Sequence, residues 1–161
     1  MCERSIRRLK VSDLDACWKL DAATWNGSFW CRADYESELI RKESLVLGAF
    51  LDSHPGKPSV ASHLAGLICV WTVLDEGHVL NLVVDTSWRS RGVGTALLVW
   101  AKEIAEHELG LAFLTLEVRA QNQGAVRLYE RNGFHVVGRR KKYYHAPDDD
   151  AILMTWNIHN S

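Results

Sequence analysis

The sequence has little of what marks fibrous, disordered or membrane proteins. Only 3 of its 161 residues are proline and 11 are glycine, which excludes a collagen-like or proline-rich chain. No stretch approaches the roughly 20 apolar residues that a bilayer-spanning helix requires. Acidic residues number 20 and basic residues 19, so the chain lacks the basic excess of proteins that hold nucleic acid by its phosphates. We therefore expect a globular protein with no membrane contact and no direct nucleic-acid binding.

The cysteines and histidines form none of the patterns that hold metals or build disulfide frameworks. The four cysteines, Cys2, Cys17, Cys31 and Cys69, include no C-x-x-C pair, which argues against a zinc site and against a disulfide scaffold. The seven histidines include no H-x-x-x-H pair that would put two imidazoles on one helical face. We predict four reduced thiols and no bound metal.

The chain start and the chain length bear on location and domain count. Met1 and the next three residues lead into no long apolar stretch with a small-residue cleavage site, so we expect no secretory signal and a cytoplasmic location. A chain of 161 residues is typical of one domain. We predict that residues 1–161 form a single domain that is a monomer or a weak dimer.

The pattern of the first half predicts a mostly antiparallel sheet with two helices. Ser12 and the acidic residues that follow it predict the start of a helix, and a turn at 75–77 predicts a hairpin between two strands. The predicted strands cover residues 6–11, 45–50, 65–74 and 78–84. The first helix carries Leu14, Cys17, Trp18 and Leu20, the second covers residues 34–42, a turn covers 26–28 and a long loop covers 52–62.

The second half alternates strands and helices. Such alternation predicts a parallel strand pair joined by a helical crossover. The predicted elements are a helix over 95–109, a strand over 113–119, a helix over 122–131, and two further strands over 134–137 and 151–156 around a polar hairpin at 147–150. The predicted fold class is mixed α/β: a twisted sheet of about six or seven strands, parallel at one junction, flanked by about four helices.

A glycine-containing loop leads from the strand at 78–84 into the next helix. Free amides at a helix start form an anion site, and glycines let the main chain come close to a phosphate. A Walker motif would need lysine where Gly94 stands, and a dinucleotide fingerprint would need glycine where Leu97 stands. The loop therefore predicts a diphosphate site of another kind, with a plain turn and solvated arginines as the alternative. The loop comprises Trp88, Arg89, Ser90, Arg91, Gly92, Val93, Gly94 and Thr95.

The segments that accompany this loop identify a family. The runs NLVVD, LEVRAQN and AVRLYERNGF, the pair Tyr143–Tyr144 and the closing DAILM follow one another along residues 78–157. With Arg89, Gly92 and Gly94 matching the motif [RQ]-x-x-G-x-[GA], the sequence resembles the GNAT acyltransferases. More narrowly, it is similar to the RimI-type ribosomal-protein-alanine N-acetyltransferases.

The resemblance implies the GNAT fold and acetyl-CoA as the acetyl donor. The amides from Arg91 to Thr95, with Arg89, would hold the pyrophosphate, and the pantetheine arm would pair along the strand at Leu82, Val83 and Val84. An exposed strand suits pantetheine because its two amides extend the hydrogen-bond ladder. A bulge there would leave an N–H free to stabilise an oxyanion. Asn122 is either a pantetheine contact or only a helix cap.

Two side chains match the family's catalytic residues. Glu117 alternates with apolar neighbours along its strand and so projects from the polar face, where it would take a proton from the incoming amine. Tyr129 would give a proton to the departing thiolate. The alternatives are a salt-bridged surface glutamate beside Arg119 and a core tyrosine with a satisfied hydroxyl.

The acceptor side carries fewer signals. Tyr143 and Tyr144 would line the acceptor groove, or else pack on the sheet as ordinary strand aromatics. Trp30 is a further candidate for contact with the substrate. The basic run at 139–142 is more typical of a solvated strand end than of a site.

The resemblance implies transfer to the N-terminal α-amine of a protein, alanine of a small-subunit ribosomal protein being the favoured acceptor. No cysteine lies in the motif region, so we expect direct attack in a ternary complex rather than a covalent enzyme intermediate. The alternatives are a GNAT enzyme for a lysine side chain or a small amine, and a catalytically silent CoA-binding module.

Overall fold

A computed structural model describes residues 4–24, 30–51 and 62–158. The strands are β1 Arg4–Arg8, β2 Ser44–Leu51, β3 His63–Val73, β4 Glu76–Val84, β5 Phe113–Arg119, β6 His135–Tyr144 and β7 Asp149–Asn157. The helices are α1 Leu14–Thr24, α2 Arg32–Ile40, α3 Val93–His107 and α4 Gln123–Arg131, with short 3-10 turns at Val11–Asp13 and Thr86–Trp88. Cys2, the predicted turn at 26–28 and residues 52–61 of the predicted loop lie outside the described residues.

These elements form one seven-stranded mixed sheet in the order β1-β2-β3-β4-β5-β7-β6. All neighbouring strands are antiparallel except β4 and β5, which are parallel. The predicted fold class is therefore confirmed, with seven strands and four α-helices in the described part of the chain. None of the helices there is long and apolar enough to cross a membrane.

Several predicted boundaries were wrong by a few residues. The first strand ends at Arg8 rather than at residue 11, because Asp13 binds the Lys10 amide and the Arg7 guanidinium and turns the chain into a 3-10 helix. The second helix is Arg32–Ile40 rather than 34–42, and the third is Val93–His107 rather than 95–109.

The hairpin turn and the sixth strand also differ from the prediction. Glu76 and Gly77 are paired strand residues, and the turn consists of Leu74 and Asp75, with Leu74 at φ 56° and fully in solvent. The predicted strand at 134–137 continues as β6 to Tyr144, so the basic run lies within a strand instead of at its end. Its pairing with β7 defines this strand, since nearly all of its side chains are exposed.

The sheet opens between β4 and β5. These two strands pair only from Glu76–Val79 to Phe113–Leu116. Beyond that point β4 stays with β3 and β5 stays with β7. We call this opening the β4–β5 split; it leaves strand edges on both sides available to a ligand.

A β-bulge lies at the start of the split. On β3, Val70 pairs with Val79 and the adjacent Cys69 pairs with Asn81. Leu80 is therefore the extra residue, which bends β4 away from β5 and interrupts its regular pairing. The bulge was expected on the stretch from Leu82 to Val84; it lies two residues earlier, at Leu80.

Two apolar cores lie on opposite faces of the sheet. One, under α3, contains Leu97, Leu114 and Met154, and the other, under α1 and α2, contains Cys17 and Leu67. Burying one such side chain contributes about 1.5–3 kcal/mol. The core under α3 includes residues of both β4 and β5, so it packs against the sheet on both sides of the split.

Candidate active site

The N-terminus of α3 presents amides that lack a helical partner. Gly92 is the N-cap residue at φ 78°, a left-handed conformation that glycine adopts without strain. The first helical bond runs from Ala96 N to Gly92 O, at 3.0 Å. The amides of Val93, Gly94 and Thr95 therefore have no helical partner, and the helix dipole adds positive potential there. Such a helix end fits a diphosphate.

The two glycines of this loop serve different purposes. A Cβ on Gly92 would make only ordinary van der Waals contact with the Arg4 guanidinium, at 3.8 and 3.9 Å, so the backbone conformation of Gly92 is what requires glycine. A Cβ on Gly94 would lie 3.1 Å from Leu128 Cδ2 of α4 and 3.7 Å from Val84 Cγ2 of β4. Gly94 thus lets α3 pack closely against both elements, and this close packing joins the anion site to the end of β4.

The arginines of the loop already have partners within the protein. Arg91 lies over the Trp88 ring, with the guanidinium carbon 5.1 Å from the ring centroid. Arg89 Nε donates to the Val84 carbonyl at 3.3 Å. Arg89 is therefore tied to the β4 side of the split, whereas the Arg91 side chain is exposed beside the helix N-terminus.

The predicted pantetheine strand forms one side of the split. Val83 is buried in the core under α1 and α2, whereas Leu82 and Val84 pack on the core under α3. Leu80, at the bulge, is 41% exposed. The side chains of residues 82–84 are thus used for packing, and their main chain follows the split.

Glu117 lies on the other side of the split. Val79 and Leu116 are paired and both belong to the core under α3, so the next residue on β5, Glu117, faces the side of α1 and α2. Its carboxylate is 3.5 Å from the Arg140 guanidinium. The Tyr143 hydroxyl donates a hydrogen bond to the same carboxylate, which raises the pKa of Tyr143. Glu117 is therefore an exposed, ion-paired carboxylate as well as the candidate base.

Tyr129 lies on the core side of α4. Its ring packs edge-on against Phe134 with centroids 5.7 Å apart, and its hydroxyl makes no hydrogen bond within the described ranges. Burial raises the pKa of Tyr129, and the neighbouring Tyr144 adds to that shift. The ring of Tyr129 is therefore part of the core, as the alternative interpretation expected. Its hydroxyl, however, has no hydrogen-bond partner among the described residues.

Tyr143 and Tyr144 connect the two candidate catalytic residues. Their rings meet edge-to-face at 5.1 Å. Tyr144 interacts electrostatically with both Glu117 and Tyr129, and Arg119 lies over its ring at 4.4 Å. Five side chains, Glu117, Arg119, Tyr129, Tyr143 and Tyr144, therefore gather beside the split, although they come from two strands and a helix.

Two predicted contacts have clear structural roles. Asn122 caps α4, accepting a hydrogen bond from the Ala125 amide at 3.2 Å, so the helix-cap interpretation is confirmed. Trp30 packs on Tyr35 with ring centroids 5.0 Å apart, at the edge of the core under α1 and α2. Neither observation tests a ligand contact. Within the described ranges, no three His, Cys, Asp or Glu side chains are grouped to hold a metal ion.

Sequence reasoning missed residues that are far from the motifs along the chain. Arg4 donates to the carbonyls of Arg91 and Gly92, and Arg140 pairs with Glu117. A basic residue in a short strand or in a basic run carries no local signal of such a partner. Only the sheet order brings these groups together.

Comparison with known proteins identifies the family. The model of the acetyltransferase (GNAT) family matches residues 13–134. The ribosomal protein bS18-alanine N-acetyltransferase of Salmonella typhimurium is 36% identical over 156 residues, which are 96% of this chain and 97% of that protein. The crystal structure of the ribosomal-protein-S18-alanine N-acetyltransferase from Escherichia coli matches with a TM-score of 0.82 and 30% identity over 97% of this chain and 94% of that chain. Arabidopsis thaliana NAA60, solved in complex with acetyl-CoA, has the same fold, with a TM-score of 0.84 at 20% identity over 97% of this chain and 100% of that chain. The chain therefore belongs to the GNAT family of acetyltransferases.

Proposed function

We propose that this protein transfers the acetyl group of acetyl-CoA to the N-terminal α-amine of a protein, and that its substrate is the N-terminal alanine of ribosomal protein bS18. The similarity to the Salmonella typhimurium enzyme along almost the whole of both chains is the observation that carries this proposal. The arrangement of charges around the β4–β5 split supports it.

The anion site and the strand edge fit acetyl-CoA. The amides of Val93, Gly94 and Thr95, which lack a helical partner, bind the pyrophosphate, with Arg91, Gly92 and Arg89 around it. The main chain of Leu82, Val83 and Val84 binds the pantetheine amides, and Asn122, which follows β5 at the start of α4, is a further pantetheine contact. Bound in this way, acetyl-CoA supplies an activated thioester at the split.

Glu117 acts as the base for the incoming amine. An α-amine has a pKa of about 7.7–8.0, so roughly a tenth of it is neutral near pH 7 and the base need not be strongly perturbed. Glu117 takes the proton from the remaining α-ammonium, directly or through water. The nitrogen then forms its bond to the acetyl carbon as the bond from that carbon to sulfur breaks. A main-chain N–H at the bulge stabilises the charge that develops on the oxygen.

Tyr129 supplies a proton to the departing sulfur. Giving a phenol proton to a thiolate of pKa about 8.5 is uphill in water. The apolar surroundings of Tyr129 oppose this transfer by raising its own pKa, but they also leave the thiolate poorly solvated and so increase its demand for a proton. We assign the acid role to this hydroxyl because the residue is 8% exposed and the hydroxyl has no other described partner.

The acceptor enters from the face shared by Glu117, α1 and α2. Tyr143 and Tyr144 provide flat, rigid walls for an extended peptide end, and Trp30 lies on the side of α2. A ribosomal-protein substrate is made in the cytoplasm, and we propose that compartment for this protein, which acts as a monomer or a weak dimer without binding nucleic acid directly.

An acceptor panel tests the proposed function. Purified protein is given acetyl-CoA and, separately, a peptide with the bS18 N-terminus, the same peptide with a blocked α-amine and an internal lysine, and a polyamine, and release of CoA thiol is followed. Turnover with the free α-amine alone supports the proposal. Faster turnover with lysine or polyamine assigns the enzyme to those acceptors, and CoA binding without turnover of any acceptor makes it a silent binding module.

A further inference from the structure

A buried polar cluster lies between α1, α2 and β4. The Tyr35 hydroxyl donates to Asp21 Oδ2 at 2.5 Å, and Asn81 Nδ2 donates to the Tyr35 oxygen at 2.9 Å and to Asp21 Oδ2 at 3.5 Å. Asp21 is 1% exposed and Tyr35 is fully buried. Asp21 Oδ1 is also buried and has no hydrogen-bond partner among the described residues.

This cluster is a poor way to gain stability. A buried carboxylate oxygen with no partner costs about 1–3 kcal/mol or more. Replacing such groups with well-packed apolar side chains is often neutral or stabilising. The best-attested use of buried polar groups is to fix one register among several.

The position of Asn81 shows which strand register the cluster fixes. It follows the bulged residue Leu80 directly and pairs with Cys69. If the bulge moved by one residue along β4, the Asn81 side chain would turn toward the apolar core under α3. There it would lose Tyr35 and Asp21 and enter a core whose members are almost all apolar side chains. The cluster therefore favours the one register in which Leu80 is the extra residue.

We infer that Asp21, Tyr35 and Asn81 are positioning residues that hold the bulge at Leu80 and thereby aim the main chain of β4 into the β4–β5 split. The inference rests on the proposed function for its catalytic consequence. It concerns the strand rather than the substrate, because none of the three side chains is required to touch a reactant. Asn81 and Glu117 face the same side of the sheet across the split, so a displaced bulge would also disturb the acceptor's approach.

The first test measures the conformation of β4 at the bulge and needs no substrate. In Tyr35→Phe, amide hydrogen exchange at Leu80 and Asn81 is expected to accelerate by about tenfold or more, and their amide chemical shifts are expected to move. Leu14→Ala is the matched control, since Leu14 belongs to the same core and not to the polar cluster. Leu14→Ala should lower the melting temperature and leave the exchange rates of the Leu80 and Asn81 amides unchanged relative to the rest of the sheet.

The second test reads catalysis. Tyr35→Phe should lower kcat by about tenfold to a hundredfold, as small misplacements in active sites do, with little change in the Kd for CoA. Asp21→Asn keeps an acceptor oxygen for Tyr35 and should retain most of kcat, whereas Asp21→Ala should lose it. If Tyr35→Phe does not fold, the Asp21 pair decides the question.

The two tests separate this inference from the proposed function. Altered exchange at Leu80 in a protein that acetylates nothing would keep the register role and overturn the function. An active protein in which exchange and kcat are unchanged by Tyr35→Phe and Asp21→Ala would overturn the inference alone. Equal losses of kcat in Asp21→Asn and Asp21→Ala would also overturn it, because acceptance of the hydrogen bond would then not matter.

Discussion

The guanidinium of Arg4 donates a hydrogen bond to the carbonyl oxygen of Gly92 at 3.1 Å, across 88 positions of the chain. A second bond from Arg4 reaches the Arg91 carbonyl at 2.8 Å. These two bonds hold the carbonyl oxygens toward Arg4 and therefore away from the anion site. The amides that follow are then free to point toward a phosphate.

Arg4→Ala is therefore expected to weaken CoA binding without changing the chemistry. Losing two solvent-exposed hydrogen bonds should raise the Kd for CoA by about 2- to 10-fold, measured by calorimetry, with kcat nearly unchanged. Arg8→Ala is the control, since Arg8 lies on the same strand and pairs with Glu108 instead. Equal Kd values for the Arg4 variant and the wild type would remove Arg4 from the site.

Glu117→Gln should lower kcat by about a hundredfold to ten-thousandfold near pH 7, the range of general-base contributions. The Kd for CoA should stay the same. The variant's rate should rise by at most about tenfold as pH rises past about 8, because the α-amine then loses its proton unaided and only about a tenth of it is neutral near pH 7. The partner Arg140 is exposed, so breaking the ion pair should cost at most about 1 kcal/mol of stability.

Glu130→Gln provides the comparison for that experiment. Glu130 is exposed on α4, and its substitution should leave kcat, the Kd for CoA and the stability at wild-type values. A Glu117→Gln variant with normal kcat at pH 7 would show that another group takes the proton.

Tyr129→Phe should reduce kcat by at least about tenfold while stability is kept. General acids contribute about a hundredfold or more, and the Tyr129 hydroxyl has no described hydrogen bond to lose. Since burial raises the pKa of Tyr129, kcat in the wild type should show no fall from ionisation of this group up to about pH 10. Unchanged turnover in the variant would exclude Tyr129 as the acid.

The stability of the protein should fall in alkali because of its buried thiols. Burial raises the pKa of Cys17 to about 12, whereas an unfolded thiol titrates near about 8.5. Between these values the unfolded state releases a proton that the folded state keeps, so stability present below about pH 8.5 is lost as pH rises, by about 1.4 kcal/mol per pH unit for each such group.

Cys17→Ala should flatten this dependence, measured as the unfolding free energy in urea between pH 9 and 11. The exposed Cys31→Ala serves as its control because it leaves the buried thiols in place. Identical slopes in Cys17→Ala and wild type would contradict the assignment to Cys17.

The fold could be predicted from the sequence wherever a periodic pattern exists. The alternation of Leu114, Leu116 and Val118 with polar residues fixed both the span of β5 and the exposed face of Glu117. Strand β6 has no such pattern, because its side chains are exposed almost throughout. Its extent depends on pairing with β7, which no local property of residues 138–144 encodes.

Only those parts of the candidate site that are contiguous in the sequence could be predicted. The loop from Arg89 to Thr95 is a local motif, so its conformation at the start of α3 followed from glycine positions and helix-end chemistry. Arg4 is the partner of that loop and Arg140 is the partner of Glu117. Both partners are brought into place by the order of the strands in the sheet. The Asp21–Tyr35–Asn81 cluster joins three elements and was invisible for the same reason.

The most direct test of the account is the position of the acetyl group on the proposed substrate. Purified protein is incubated with acetyl-CoA and unmodified ribosomal protein bS18, and the product is analysed by tandem mass spectrometry. The expected product carries one acetyl group on the α-amine of the N-terminal alanine, and its initial rate of formation should be at least about a hundredfold lower when Glu117→Gln is used at neutral pH. Acetylation on lysine side chains, or an unmodified N-terminus under conditions in which acetyl-CoA is bound, would contradict the account.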